Sequence, residues 1–395
     1  MDPMLRDLRD AASVEAPPER KQPNFKRLLY IILVLLVGVL ISVAGFLVYP
    51  KLAAMRAPFS KWERVEALGT RRCYSIATYG SAVFVGAKGR LFKSFDEGDT
   101  WEADEYWSDL PRKNSIDDQP WEIIFNDTGI NVYASSVSGL HVSTDAGATW
   151  SQLPFNVYVP SLESEIFTIS DVEICRQNDQ ILYVELRNAH LAKSVDGGKT
   201  WTLLHEWISP EFLKVSQQDP NFLYLDISPT KFSQDGGLTI EEIPGSFPGL
   251  SLPKAVYLDP NDASRIIAVG LGGVAMSVDS GATWLPAGQQ TEWWDPLAPD
   301  YPLPKGAQRK ALSIDDLGFI YTSIAVHPLN RNVMAVSAQD EGVLLSVDAG
   351  MTWHKLNQGL PEKDDKDAVE FGPLAWSPDG SQLYLLTSGG LFILE

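Results

Sequence analysis

An eight-residue pattern that returns six times limits what this chain can fold into. We call each copy a box, and residues 143–150 give the order Ser-x-Asp-x-Gly-x-Thr-Trp. Boxes recur about every 40–50 residues, with a longer gap before the last, which is typical of propellers and solenoids. In the fourth box, Ile240 stands where Trp is expected. The box residues are Ser94, Asp96, Gly98, Trp101, Ser143, Asp145, Gly147, Trp150, Ser194, Asp196, Gly198, Trp201, Ser233, Asp235, Gly237, Ser277, Asp279, Gly281, Trp284, Ser346, Asp348, Gly350 and Trp353.

The residue types in the box suit a tight turn that leads into a strand. Ser and Asp side chains bond the backbone of their own turn, and Gly takes a positive φ at little steric cost. Thr and Trp favour strands, and Trp adds a large apolar surface. Because these residues return in every unit, we interpret the boxes as scaffold rather than as catalytic groups. The EF-hand ligand series is missing, so no metal site is expected, and nothing in the sequence indicates a cofactor.

Between the boxes, each unit repeats one order of short strands and turns. An apolar strand such as residues 322–326 precedes a Pro/Asn turn, a second apolar run and a Gly turn. A third strand then enters the box, and the Trp opens a fourth. Four short strands per unit make one propeller blade. The sequence therefore predicts an all-β fold, a seven-bladed β-propeller of four-stranded blades over residues 60–395.

The two ends of the repeat region complement each other. The last unit stops after residues 390–394, where a box should begin. Residues 61–65 resemble the strand that follows a box. We expect Trp62 to take the position of the box Trp in the last blade, so that the N- and C-terminal strands pair and close the ring. Closure removes two exposed sheet edges.

The boxes and their spacing resemble those of the BNR or Asp-box repeat propellers, a sialidase-like group within the WD40/YVTN/BNR-like superfamily. The resemblance covers roughly residues 60–395 and rests on five full boxes. The group includes sialidases, xyloglucan-type glycosidases, sortilin-type receptors and the photosystem II assembly-factor family, so the resemblance implies a fold without fixing an activity. In blade count and box density the chain is most similar to the assembly factors, which tend to be lumenal and to use a basic patch.

The segment before the repeats has a different composition. Residues 1–27 are polar with several Pro, and we expect a disordered cytoplasmic tail. Residues 28–49 are uncharged and mostly apolar, long enough for one transmembrane helix, and residues 50–59 form a linker. Lys26 and Arg27 before the span favour a cytoplasmic N-terminus, which predicts a single-pass membrane protein with its propeller on the periplasmic or extracellular side. A cleaved signal peptide is the alternative, although the apolar run is longer than usual and no A-x-A site follows.

Charge and cysteine content narrow the range of partners. The chain has 32 Lys and Arg against 51 Asp and Glu, a formal net charge of −19. Such a surface repels nucleic acid and anionic lipid. The two cysteines, Cys73 and Cys175, fall in separate repeats that should not touch. We expect two free buried thiols rather than a disulfide.

The links between blades are where the sequence departs from its own repeat. In a four-stranded meander these links open on the face opposite the boxes. Long loops on a rigid scaffold are the usual place for recognition, and neighbouring exposed Trp residues are costly unless they pack or bind. Acidic residues 362–367, in contrast, are best read as a solvated loop. The candidate binding residues of the aromatic links are Tyr106, Trp107, Trp293, Trp294, Asp295 and Tyr301.

Two classes of function fit this sequence. The first is a protein-binding or assembly scaffold that docks a partner through the face of the links. The second is a glycan-binding or glycoside-hydrolase propeller, because Trp platforms and carboxylate pairs are what glycoside hydrolysis needs. Sialidases use an Arg cluster and an Arg-Ile-Pro stretch, and the nearest match here is Arg-Ile-Ile at residues 265–267. The sequence has no nucleophile–base pattern, metal-ligand cluster or phosphate loop, so we favour a scaffold that is not an enzyme.

Overall fold

The computed structural model describes residues 61–110, 118–166, 168–186, 190–208, 213–225, 231–243, 250–308, 312, 319–339, 341–361 and 370–394. The predicted tail 1–27, apolar span 28–49 and linker 50–59 lie outside these ranges, as do acidic residues 362–367. Within the described ranges, no helix has the length and apolar character needed to cross a membrane.

Seven four-stranded antiparallel sheets form the fold, as predicted. The innermost strand of each sheet contacts the innermost strands of its two neighbours, which arranges the sheets as blades around a central channel. From inner to outer strand, blade 1 contains β2 (Cys73–Tyr79), β3 (Ala82–Ala87), β4 (Arg90–Ser94) and β5 (Glu102–Ala103); blade 2 contains β6 (Glu122–Phe125), β7 (Val132–Ser136), β8 (Gly139–Ser143) and β9 (Ser151–Gln152); blade 3 contains β12 (Ile169–Cys175), β13 (Asn178–Leu186), β14 (His190–Ser194) and β15 (Thr202–His205); blade 4 contains β16 (Leu213–Val215), β17 (Leu223–Leu225), β18 (Lys231–Ser233) and β19 (Glu241–Glu242); blade 5 contains β20 (Ser251–Leu258), β21 (Ile266–Leu271), β22 (Gly273–Ser277) and β23 (Leu285–Pro286); blade 6 contains β24 (Tyr321–Val326), β25 (Met334–Ala338), β26 (Gly342–Ser346) and β27 (His354–Lys355); blade 7 contains β28 (Phe371–Trp376), β29 (Leu383–Thr387), β30 (Gly390–Leu394) and β1 (Trp62–Arg64).

Smaller elements lie in the links between blades. Link one carries a short helix, α1 (Glu105–Asp109), and the link from blade 2 to blade 3 carries a hairpin of β10 (Val157–Val159) and β11 (Ser164–Ile166). Single 3-10 turns occur at Pro160–Leu162 and Thr291–Trp293.

The hydrophobic core lies between neighbouring blades. The second and third strands of most blades are buried along their length, because a blade covers each of their two faces. One cluster, for example, joins Ile267 and Met276 of blade 5 to Val336 and Leu344 of blade 6. Each blade thus depends on its neighbours for burial, as in other repeat proteins. Cys73 and Cys175 are free and buried, as predicted.

The first described strand closes the ring as the outer strand of blade 7. In this pairing Trp62 lies opposite Leu394, and Arg64 lies opposite Phe392. Trp62 is buried, and its indole N–H donates a hydrogen bond to Leu356 O at 2.5 Å. The predicted closure and the predicted position of Trp62 are both confirmed.

The strand order gives the propeller two different faces. The turns between first and second strands and the boxes, which join third and fourth strands, lie on what we call the box face. The turns between second and third strands lie on the opposite side, where the fourth strands end and the links begin. We call that side the linker face.

Candidate functional site

The six boxes all form the same hydrogen-bonded turn. In the second box, Ser143 Oγ donates to Asp145 Oδ1 at 2.7 Å and Gly147 N–H donates to Ser143 Oγ at 2.8 Å. Thr149 donates to the same carboxylate through its N–H at 2.8 Å and its hydroxyl at 2.7 Å. The other five boxes repeat these bonds. Each box carboxylate is therefore bonded within its own turn.

These bonds also set the charge state of the box carboxylates. Hydrogen bonds from Thr and Ser lower the pKa of Asp145, Asp196 and Asp235 to about 2. A carboxylate held this firmly in its ionised form is poorly suited to act as a general acid near neutral pH. Among the described residues, no group of three or more His, Cys, Asp or Glu is placed to hold a metal ion. The geometry supports a structural role for the boxes.

Link one folds back against blade 2 instead of projecting into solvent. Asp104 caps α1 by accepting a hydrogen bond from Trp107 N–H at 3.4 Å. Trp107 is 1% exposed, and its ring centroid lies 5.6 Å from that of Trp150. The hydroxyl of Tyr106 lies 2.9 Å from Nδ1 of His141, a buried side chain. The expectation that Trp107 is exposed is wrong, because its indole fills the space beside the outer strand of blade 2.

Link five departs further from its predicted position. Trp293 is fully buried, and its indole N–H donates to Arg331 O at 3.1 Å. The side-chain amide of Asn332 donates to Asp295 O at 2.9 Å. Arg331 and Asn332 belong to the turn between the first and second strands of blade 6, so these residues lie on the box face. Tyr301 is buried as well. Their predicted place on the linker face is therefore wrong.

The remainder of link five passes along the outer edge of blade 6. Gln308 N–H donates to Lys355 O at 2.8 Å, and Leu312 pairs with Trp353. This long link has enough chain to cover the outer edge of the blade and to bury its own aromatic residues. Among the six candidate binding residues, Trp294 is the one with a clearly exposed side chain, at 37%. The aromatic links thus contribute mainly to packing.

The linker face instead carries a set of exposed basic residues that the sequence reasoning missed. We call Arg71, Arg72, Lys88 and Arg90 the basic cluster. Lys88 N–H donates to Arg72 O at 3.0 Å, which holds the segment before β2 beside the β3–β4 turn. Arg72 pairs with Glu370 at 2.9 Å, with both side chains more than half exposed. Lys88 and Arg90 form no ion pair with any other described residue. The members come from two short segments, so their grouping became visible only with the hairpin geometry.

A cavity opens beside the basic cluster on the linker face. Its volume is about 440 Å³, and Arg72, Tyr74, Gln339, Phe371 and Ser388 are among the residues that line it. The lining combines a guanidinium group, two aromatic rings, an amide and a hydroxyl. Concave sites with a few convergent polar groups and an aromatic lining are the usual form of a ligand site.

The central channel contains a second group of charged side chains. Lys214 forms an ion pair with Glu173, and Asp171 accepts a hydrogen bond from Leu213 N–H at 3.3 Å. Burial raises the pKa of Glu122 to about 8; Lys214 opposes this rise, and the neighbouring carboxylates add to it. Burial lowers the pKa of Lys214, but the surrounding carboxylates raise it by more, so its ammonium stays charged. Glu122, Glu173 and Lys214 line a cavity of about 500 Å³ in the channel.

Comparison with known proteins points to the fold. No family model matches the chain, and no curated protein matches it. A solved structure of YCF48 bound to D1 peptide is 17% identical, covers 85% of this chain and 96% of its own, and has a TM-score of 0.57. YCF48 from Cyanidioschyzon merolae is 14% identical, with coverage of 85% and 98% and a TM-score of 0.56. A GH74 xyloglucanase from Xanthomonas campestris is 16% identical, with coverage of 84% and 57%, but its TM-score is 0.41. Likeness at these identities shows that the chain shares the propeller fold of the YCF48 structures.

Proposed function

We propose that this chain is a membrane-anchored, extracytoplasmic scaffold that binds an acidic peptide segment of a protein partner on its linker face. The basic cluster and the adjacent cavity are the proposed site. This keeps the linker face as the recognition surface but moves the site from the aromatic links to blade 1.

The observation that carries the proposal is the contrast between the basic cluster and the rest of the chain. A chain of net charge −19 groups four exposed cations beside a cavity. A local patch of opposite sign directs an acidic partner to that patch and disfavours docking elsewhere on the acidic surface. Arg also suits bidentate binding of a carboxylate.

A peptide is the ligand class that the comparisons support best. One structural neighbour is described as bound to a D1 peptide, so a propeller of this fold can accommodate a peptide. The runner-up, a glycan-active enzyme, depended on exposed Trp residues near carboxylates. Since Trp107 and Trp293 are buried, the aromatic platform behind that alternative is lost.

Binding of a fluorescein-labelled hexaglutamate peptide, followed by fluorescence anisotropy, tests the site. We expect the double variant Arg71→Ala/Arg72→Ala to weaken binding about five-fold or more, and we expect added salt to weaken binding to the parent chain. Lys199→Ala is the matched control, since it removes an exposed cation from a box on the opposite face. Equal losses in both variants would mean that binding follows net charge and not this site.

The membrane anchor is part of the same proposal and rests on the apolar segment 28–49. Lys26 and Arg27 precede that segment, so residues 1–27 are placed in the cytoplasm and residues 50–395 outside it. Protease added to intact spheroplasts should then degrade the propeller. A protected propeller together with a cleaved N-terminal tail would reverse the topology.

A further inference from the structure

A strained and exposed tryptophan stands on the linker face of blade 3. Trp207 follows β15, and its side chain is 61% exposed. Its backbone φ is 60°, in the left-handed region that bulky side chains avoid. Strain of this kind persists only when the surroundings enforce it, and it is concentrated at ligand sites. The fold therefore presents this indole to solvent at a cost.

A buried histidine holds Trp207 in this conformation. His190 Nδ1 accepts a hydrogen bond from Trp207 N–H at 3.3 Å, and the two ring centroids lie 5.2 Å apart. His190 is fully buried, and burial lowers its pKa, so the imidazole is neutral. Because Nδ1 accepts, Nε2 carries the proton. That buried Nε2 has no hydrogen-bond partner among the described residues.

The β10–β11 hairpin lies next to Trp207. Ser161 N–H, at the tip of the hairpin, donates to Glu206 Oε2 at 3.2 Å, which brings the tip against the residue before Trp207. Leu162, at the same tip, is 36% exposed, and Tyr158 is 56% exposed on the outward side of the hairpin. The hairpin does not cover the indole.

The charges around this indole are acidic. Glu206 precedes Trp207, and the exposed Glu163 follows Leu162 at the hairpin tip. A cation over the face of Trp is attracted by the ring quadrupole, and Trp is the best ring for this contact. A carboxylate beside the ring adds a partner for the same cation. An anionic lipid or nucleic acid, in contrast, would be repelled.

We propose that Trp207, flanked by Glu206 and Glu163, binds an arginine or lysine side chain of a basic protein segment. This site is distinct from the basic cluster on blade 1 and does not depend on it. If both sites act on one partner, the partner carries an acidic and a basic segment. Each site has its own probe, so the failure of one proposal leaves the other standing.

Fluorine NMR on the full chain labelled with 5-fluorotryptophan tests the site directly. The Trp207→Phe variant assigns the Trp207 resonance, and the resonance of partly exposed Trp294 serves as an internal control. On titration with the peptide Gly-Arg-Gly-Arg-Gly, we expect the Trp207 resonance to shift and saturate while the Trp294 resonance stays in place. Glu206→Gln keeps an acceptor for Ser161 N–H but removes the charge, and it should weaken the apparent affinity about five-fold.

Three results would overturn the assignment. The first is an unmoved Trp207 resonance at saturating peptide. The second is an equal shift of both resonances, which would indicate general attraction to an acidic protein. The third is a Trp207 shift with cellohexaose and none with the Arg peptide, which would make the indole a sugar platform instead.

Discussion

At the residue scale, the boxes carry a conformational strain that varies between copies. The fourth box residue adopts a left-handed conformation, and it is Gly197 or Gly236 in two boxes but a side-chain residue in the others. Ala146, for example, has φ 56° and is exposed. Glycine takes this conformation without a steric penalty, whereas an L-residue does not.

Replacing Ala146 with Gly should therefore stabilise the protein by about 1 kcal/mol. Ala148→Gly is the matched control, because Ala148 is equally exposed, lies two residues away and has a negative φ. That control should be neutral or cost about 0.5–1 kcal/mol. Urea unfolding of both variants provides the comparison, and a loss of stability in Ala146→Gly would show that the left-handed position carries no strain.

The carboxyl group of Glu122 predicts how stability depends on pH. Burial raises its pKa to about 8, well above the value of an unfolded chain. Its contribution is complete below about pH 4.3 and is lost as the pH rises through 8, because the unfolded chain ionises first. The urea midpoint should fall between pH 5 and pH 9. Glu122→Gln should fall less over this range, and an identical fall in both proteins would contradict the assignment.

At the element scale, the repeat made the fold predictable, and the links escaped prediction. Strand order, blade number and closure through Trp62 follow from local patterns that return in every unit, so each copy reinforces the others. The path of a link has no such copies. Whether Trp293 points to solvent or into the core depends on tertiary contacts with the turn at Arg331, which sequence spacing does not reveal.

The buried position of Trp293 leads to a prediction opposite to that for an exposed binding residue. Trp293→Ala should lower the free energy of unfolding by about 3–5 kcal/mol, because it empties a filled site between blades 5 and 6. Trp294→Ala, the adjacent control, should cost much less, since that side chain is 37% exposed. Chemical denaturation of the two variants separates the cases, and similar losses would mean that link five packs differently.

At the scale of the whole molecule, the propeller separates its two tasks by face. The box face repeats one self-bonded turn, whereas the linker face carries features that individual blades supply, including the basic cluster on blade 1 and Trp207 on blade 3. A rigid ring of mutually buried blades keeps such features at fixed positions. The rigid scaffold and the variable rim are thus consequences of the same repeat.

The most direct test of this division measures thermal unfolding and hexaglutamate affinity on the same two variants. Asp279 accepts hydrogen bonds from Thr283 N–H at 2.8 Å and from the Thr283 hydroxyl at 2.6 Å. Asp279→Ala should therefore cost about 1–2 kcal/mol of stability and leave the affinity unchanged. Arg71→Ala/Arg72→Ala should leave the melting temperature nearly unchanged and weaken binding about five-fold or more. Loss of affinity in Asp279→Ala without loss of stability, together with unchanged affinity in the Arg variant, would contradict the account.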